Sequence, residues 1–275
     1  MYRFLLTPRW LGILALTLAA AATMVLLGNW QLSRYHERSS INHRIDSTAG
    51  QPPATLGEVL PAPGASAGTA GQAPPAAAAW TRVTATGRYD ETHLFLIRNR
   101  TVDGRVGFEV VIPLVLADGT AVLVDRGWIP PAEGSATARP KIPPAPTGQV
   151  TVVGRVHLSE SRPDQIVRND GRYETRRITV PRLATALPYP VYGAYVLLDE
   201  QTPAADPAFS AVPVAHENDW QNAGYVVQWW LFAAMALGAF VWAARREAHG
   251  VPGQDLPDDL AAEPVPAAPS DPARR

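Results

Sequence analysis

Two long apolar runs, one near each end of the chain, enclose a stretch in which polar and apolar residues alternate. The first runs from about Leu11 to Leu27 without a charged residue and is bordered by Trp10 and Trp30. The second runs from Trp229 to Ala244, with Trp242 near its far end, and stops at Arg245–Arg246. A helix rises about 1.5 Å per residue, so roughly 20 apolar residues cross the hydrocarbon of a bilayer. Both runs therefore predict membrane helices, and the border tryptophans suit its interfaces. The first run is longer than the core of a cleaved signal peptide. A Trp-Gln-Leu-x-Arg helical continuation follows it rather than a small-residue cleavage site.

Between the runs, Leu32, Tyr35, Ser39, Asn42 and Ile45 recur near helical spacing, which predicts a helical extension over 31–48. Residues 49–79 are rich in Pro, Ala and Gly and read as a disordered insertion with one short turn at 56–60. From Trp80 onward the period shortens. Strands are predicted over 81–89, 93–98, 107–116, 121–128, 149–158 and 192–198, with a hairpin signal at Ala117-Asp118-Gly119. A short helix is predicted from Ile178, with Thr179 as its cap and Pro181 early. Val83-Thr84-Ala85-Thr86-Gly87-Arg88 echoes Val150-Thr151-Val152-Val153-Gly154-Arg155, as similar strand geometry would produce. The expected fold is a membrane protein in which two transmembrane helices flank a mainly-β (α+β) domain, antiparallel and barrel- or sandwich-like.

Arg245 and Arg246 place the end of the second helix in the cytoplasm by the positive-inside rule, and an even number of spans puts the N-terminus there too. The expected partition of the cell-membrane protein is a cytoplasmic N-terminus at 1–10, a first span at 11–29, an extracytoplasmic β-rich domain at 30–224, a second span at 225–244 and a disordered cytoplasmic tail at 245–275. Arg34, Arg38 and Arg44 lie on the outer side, against the general trend. Charge and composition remove several classes of function. Lys and Arg number 24 and Asp and Glu 25, so no basic field supports nucleic-acid binding. The chain has no cysteine, which excludes disulfides, thiolate metal sites and a thiol nucleophile.

No catalytic constellation assembles from the sequence. The histidines (His36, His43, His93, His157, His216 and His249) form no His-Glu-x-x-His motif, and Gly-x-Ser-x-Gly and phosphate-loop patterns are absent. Three aromatic-polar clusters remain. Trp30-Gln31-x-x-Arg34 places Trp and Arg on one helix face. Val124-Asp125-Arg126-Gly127-Trp128 reads as a strand terminus held by an ion pair, with an arginine suited to a carboxylate. Tyr225-Val226-Val227-Gln228-Trp229 opens the second apolar run.

Taken together, and in this order, the clusters resemble those of the Surfeit locus protein 1 family, the cytochrome c oxidase assembly factors. The resemblance covers residues 10–246 through Gly28, Trp30, Gln31, Leu32 and Arg34, the run Val124 to Pro130, and Tyr225, Gln228 and Trp229. It implies a non-enzymatic role in respiratory-chain biogenesis: a chaperone that assists delivery or insertion of haem a into the oxidase catalytic subunit. The implied partners are that subunit, haem a synthase and the lipid bilayer. The implied cofactor-binding residues are Trp30, Gln31, Arg34, Arg126, Trp128, Asn222, Tyr225, Gln228 and Trp229. The chain departs from the pattern at Asn222, where the family's haem-binding bacterial members carry histidine. Asparagine is a poor iron ligand. His216, six residues earlier, is the candidate substitute as a metal ligand. Without a ligand, haem contact would rest on aromatic packing and on Arg34 or Arg126 pairing with propionates. The alternative is a membrane scaffold that binds oxidase subunits or haem synthase without holding haem, and a third reading is a membrane-anchored domain of unrelated purpose.

Overall fold

A computed structural model describes residues 3–135, 138–169, 171–214 and 216–250. The chain divides into two compact units, Met1–Tyr35 with Asp219–Arg275 and His36–Asn218. Most of the expected tail at 245–275, namely 251–275, lies outside the described residues.

The first unit is a helix pair. Helix α1 (Pro8–Ala49) begins here and is continuous with the expected 31–48 extension. Trp10 meets Phe240 edge to face at 5.9 Å, and Gly28 lies where an added Cβ would fall 2.4 Å from the Trp230 indole nitrogen. A residue early in α1 thus meets one late in the partner helix (Trp220–Ala248), and a late one meets an early one, so the two run antiparallel. Leu16, Leu26, Val227 and Trp242 are exposed around the pair, and both helices are long and apolar enough to cross a membrane. The C-terminal helix continues through Arg245 and Arg246 to Ala248, past the boundary expected at 244.

The second unit is a mainly-strand domain. In chain order it contains β1 (Ala54–Thr55), α2 (Leu56–Val59), β2 (Arg82–Tyr89), β3 (Phe95–Val102), β4 (Arg105–Leu116), β5 (Ala121–Ile129), β6 (Val150–Leu158), β7 (Val167–Asn169), β8 (Arg172–Thr175), α3 (Val180–Ala184) and β9 (Val191–Thr202). The C-terminal helix of the first unit is then α4. The strand order is β1-β2-β6-β9-β5-β4-β3-β8-β7, and β2 also pairs with β4 through Gly87↔Leu116 to Tyr89↔Leu114. Hydrogen bonding therefore passes from β2 through β6, β9, β5 and β4 back to β2, and the sheet curls on itself. The expected all-antiparallel pairing is corrected to a mixed sheet, because β1–β2, β3–β8 and β5–β9 are parallel.

The echo between 83–88 and 150–155 has a packing cause. Its two copies lie on β2 and β6, which pair antiparallel from Val83↔Gly154 to Gly87↔Val150. A Cβ on Gly87 would fall 2.3 Å from the Val115 carbonyl oxygen, and one on Gly154 would fall 2.3 Å from that of Leu197. Each glycine lets a neighbouring backbone approach where the sheet bends. The predicted hairpin forms at Asp118, whose carboxylate accepts from Thr120 N (2.9 Å). Thr179 precedes α3 as expected but makes no side-chain cap; Ser159 Oγ instead accepts from Val180 N (3.0 Å).

Segment 49–79, expected to be disordered, packs against the sheet. Leu56 and Leu60 are buried with Val83, Val152 and Tyr192. Val191 N donates to Thr69 O and Gly71 N to Val191 O, and Gly193 leaves room for the Gln72 carbonyl. Proline, alanine and glycine limit regular structure in the segment to short pieces such as β1 and α2, yet two leucines and a few backbone bonds are enough to seat it. Leu60→Ala should cost about 2–5 kcal/mol, the usual cost of emptying a buried leucine site. Thermal unfolding in detergent checks this; an unchanged midpoint would mean that the segment does not pack.

Candidate functional site

Strand β5 is buried along its whole length. The Val-Asp-Arg-Gly-Trp run therefore lies buried in the domain, at the C-terminal end of β5 as expected. Successive strand side chains point to opposite faces, so Asp125 and Arg126 do not pair with each other, and the expected ion pair is corrected. Asp125 Oδ1 accepts from Gly127 N at 3.0 Å. Arg126, only 3% exposed, sits 4.5 Å over the Phe209 ring and 5.6 Å from that of Tyr89. Its guanidinium donates to the carbonyls of Pro143 (3.2 Å) and Pro144 (3.4 Å). The proline-rich loop between β5 and β6 thus supplies acceptors for a buried cation, and Arg126 is enclosed by these carbonyls and the Phe209 and Tyr89 rings.

Gly127 has φ 122°, and a Cβ there would meet the Ser210 carbonyl at 2.7 Å. The turn brings Trp128 and Ser210 into a two-way backbone bridge, 2.8 Å in each direction. The register between β4 and β5 shifts here, with Glu109 opposite Trp128 and Val111 opposite Asp125. Trp128 is buried, and its indole nitrogen donates to Arg100 O at 3.0 Å.

Charges that the sequence did not single out lie beside this bulge. Arg100 pairs with Glu109 at 2.9 Å and with Glu160 at 2.6 Å. Burial, and then the charge of Glu109, pushes the Asp125 carboxyl well above the usual carboxylate range. Burial likewise raises Glu109, with Arg100 opposing the shift, and lowers His157. These residues were not evident beforehand because they come from β3, β4, β6 and the loop after β6, and only the sheet brings them together.

In the helix pair, Asn222 Nδ2 donates to Gln31 Oε1 at 2.7 Å. The structure thus joins two of the predicted residues, one from each motif-bearing helix. Trp30 and Tyr225 are exposed on the same pair, as are Arg34 and Gln228, while Trp229 is half-buried and stands 6.2 Å from Phe232. Arg126 and Trp128 belong to the strand domain. His216 also lies in that unit, with Nε2 2.8 Å from Asp46 Oδ1. Among the described residues no group of three or more His, Asp or Glu side chains gathers in a metal-holding arrangement. Asn222 offers iron no imidazole-type nitrogen, since its amide nitrogen is only a donor and is directed to Gln31.

The sequence matches the SURF1 family over residues 18–234. It is 35% identical over 266 residues to an uncharacterised SURF1-like protein of Mycobacterium tuberculosis H37Rv, covering 92% of this chain and 93% of that one. A SURF1-like protein of Mycobacterium bovis matches to the same extent. A SURF1-like protein of Dictyostelium discoideum is 30% identical over 104 residues, 37% of each chain.

The buried acid of β5 sets a pH dependence. Below about pH 3.9, the ordinary aspartate value, Asp125 is protonated both folded and unfolded. Above it only the unfolded chain gives up the proton, so stability falls as pH rises toward the higher folded-state value. Asp125→Asn keeps an acceptor for Gly127 and removes this term. Its melting temperature should fall less than that of the unmodified protein between about pH 4 and neutrality; parallel curves would mean that Asp125 is ionised in the fold.

Proposed function

The chain belongs to the SURF1 family, and from that membership we propose that it is an assembly factor for haem-copper cytochrome c oxidase, assisting haem a delivery or insertion into the catalytic subunit. The family is one of oxidase assembly factors, so the role is binding rather than turnover. The observation that carries the reading is the match over 18–234, which takes in all three aromatic-polar clusters and parts of both apolar helices.

The proposed setting is a cell membrane crossed by α1 and α4, with both termini cytoplasmic and the strand domain outside. Their length, their exposed apolar side chains and the Arg245–Arg246 pair support it. The proposed partners are the oxidase catalytic subunit and haem a synthase. Trp30, Arg34, Tyr225 and Gln228 are exposed side chains of the helix pair and suit contact with a partner or with the edge of a macrocycle. Arg126 and Trp128 serve instead as structural members of the domain.

The Gln31–Asn222 bond favours a second reading. With histidine replaced and the amide turned to Gln31, the helix pair would act as a scaffold that docks subunits without ligating haem.

Deleting the gene should weaken the a-type haem band in reduced-minus-oxidised membrane spectra, and restoring it should bring the band back. An unchanged band with normal oxidase activity would sink the assembly role. Arg34→Ala should lower oxidase activity severalfold more than Arg172→Ala, whose side chain is exposed at the start of β8. Arg126→Ala should act through loss of folded domain, read as lower protein abundance.

A further inference from the structure

A cavity of about 530 Å³ opens within the strand domain between the last turns of α1, residues 76–80 and the end of β6. Cofactor and small-molecule sites typically enclose about 300–1,000 Å³ and are mainly apolar with a few placed polar groups. Ile41, Ala76, Ala79, Trp80 and Leu158 supply the apolar wall. Trp80 has φ 71°, a left-handed conformation costly for a bulky side chain. Its backbone is held there by Trp80 N donating to Val156 O (2.7 Å) and Thr48 Oγ1 donating to Trp80 O (3.0 Å). Backbone strain of this kind, held by surrounding bonds, concentrates where a side chain must be presented.

His157 lines the same cavity. Its ring stacks on Tyr195 at 4.8 Å and meets Trp80 edge to face at 4.9 Å, so its orientation is fixed. Nδ1 lies 3.1 Å from Leu158 O. A carbonyl only accepts, so the proton of the neutral ring sits on Nδ1 and the lone pair on Nε2. No partner engages Nε2 among the described residues. A neutral imidazole whose Nδ1–H is tied to a backbone carbonyl is the form in which histidine ligates metals. Arg44, another lining residue, has a buried Nε without a hydrogen-bond partner among the described residues. Guanidinium pairs readily with carboxylate. Glu37 and Glu217 also face the opening, and Glu217 is matched by Arg38 at 3.7 Å.

We infer that this cavity is a binding site for a planar, carboxylate-bearing iron tetrapyrrole, with His157 Nε2 as the axial nitrogen and Arg44 as the partner of a carboxylate. The inference rests on the reading that this chain handles haem, and it moves the ligand from the Asn222 position to the strand domain. Apolar walls and Trp80 would take the face of the macrocycle, and the chain's own task would be to hold and orient it away from water.

The test uses the full chain in detergent micelles, titrated with ferric haemin. The unmodified protein should show a saturable Soret shift of a histidine-ligated haem. His157→Phe keeps an aromatic ring against Tyr195 but removes the donor nitrogen; it should lose the ligated spectrum and weaken binding roughly tenfold or more, about 1.4 kcal/mol. Arg44→Ala should weaken binding without changing the ligated spectrum. Asn222→Ala should leave both unchanged. A thermal melt of His157→Phe close to that of the parent separates lost ligation from lost fold. An unaltered spectrum in His157→Phe, or ligation lost in His216→Ala instead, overturns the cavity assignment while leaving the assembly role standing. Absence of haemin binding in the unmodified protein also overturns it. The membrane-spectrum deletion experiment fails independently, since it reads the assembly role and not the ligand.

Discussion

A strand buried on both faces has no water to solvate what it carries, and β5 carries an acid and a base side by side. Everything around Asp125 and Arg126 follows from that constraint. Burial pushes the acid well above the usual carboxylate range, and it accepts a backbone N–H two residues on. The base finds two carbonyls in a loop too rich in proline to use them in regular structure, and two aromatic faces. Gly127 then turns the chain so that Trp128 and Ser210 can bridge. Burying a charge without partners costs several kcal/mol, so loop, bulge and bridge form one arrangement that depends on the pair.

The same constraint explains why the motif looked like a ligand site. Asp, Arg, Gly and Trp in a row suggest recognition chemistry, and an arginine able to grip a carboxylate is a natural reading. Alternation along the strand separates the acid from the base, because neighbouring side chains face apart, and Arg126 meets carbonyls and aromatic rings instead of Asp125. The long β-branched strands were legible because their alternation is strong. Strands β7 and β8 were not: Val167–Asn169 and Arg172–Thr175 are short and mostly polar. Parallel pairing of β5 with β9 joins segments far apart in sequence, which no local pattern encodes. Residues 49–79 misled for a different reason. Composition reports whether a segment can build its own core, whereas this one borrows the core of the sheet through Leu56 and Leu60.

The candidate ligand residues divide in the same way. Gln31 and Asn222 were legible because each belongs to a short motif on an apolar helix, and the structure joins them. His157 sits in a plain strand whose neighbours Val156 and Leu158 carry no signal. Its interest comes from Trp80, Tyr195 and α1, which reach it only in three dimensions.

The curled sheet also governs how the domain can meet another protein. Backbone-to-backbone recruitment of a guest strand needs a free row of N–H and C=O groups. Here β1 and β4 cover the outer side of β2, and the sheet ends in a two-residue and a three-residue strand. Beyond Ile97 the outer side of β3 is interrupted by Asn99 at φ 62°, and the Arg100 carbonyl is already taken by Trp128. Edges so short and irregular resist unwanted polymerisation. They also mean that any protein meeting this domain would be recognised by side-chain chemistry and surface shape, and could leave without any sheet having to be unzipped.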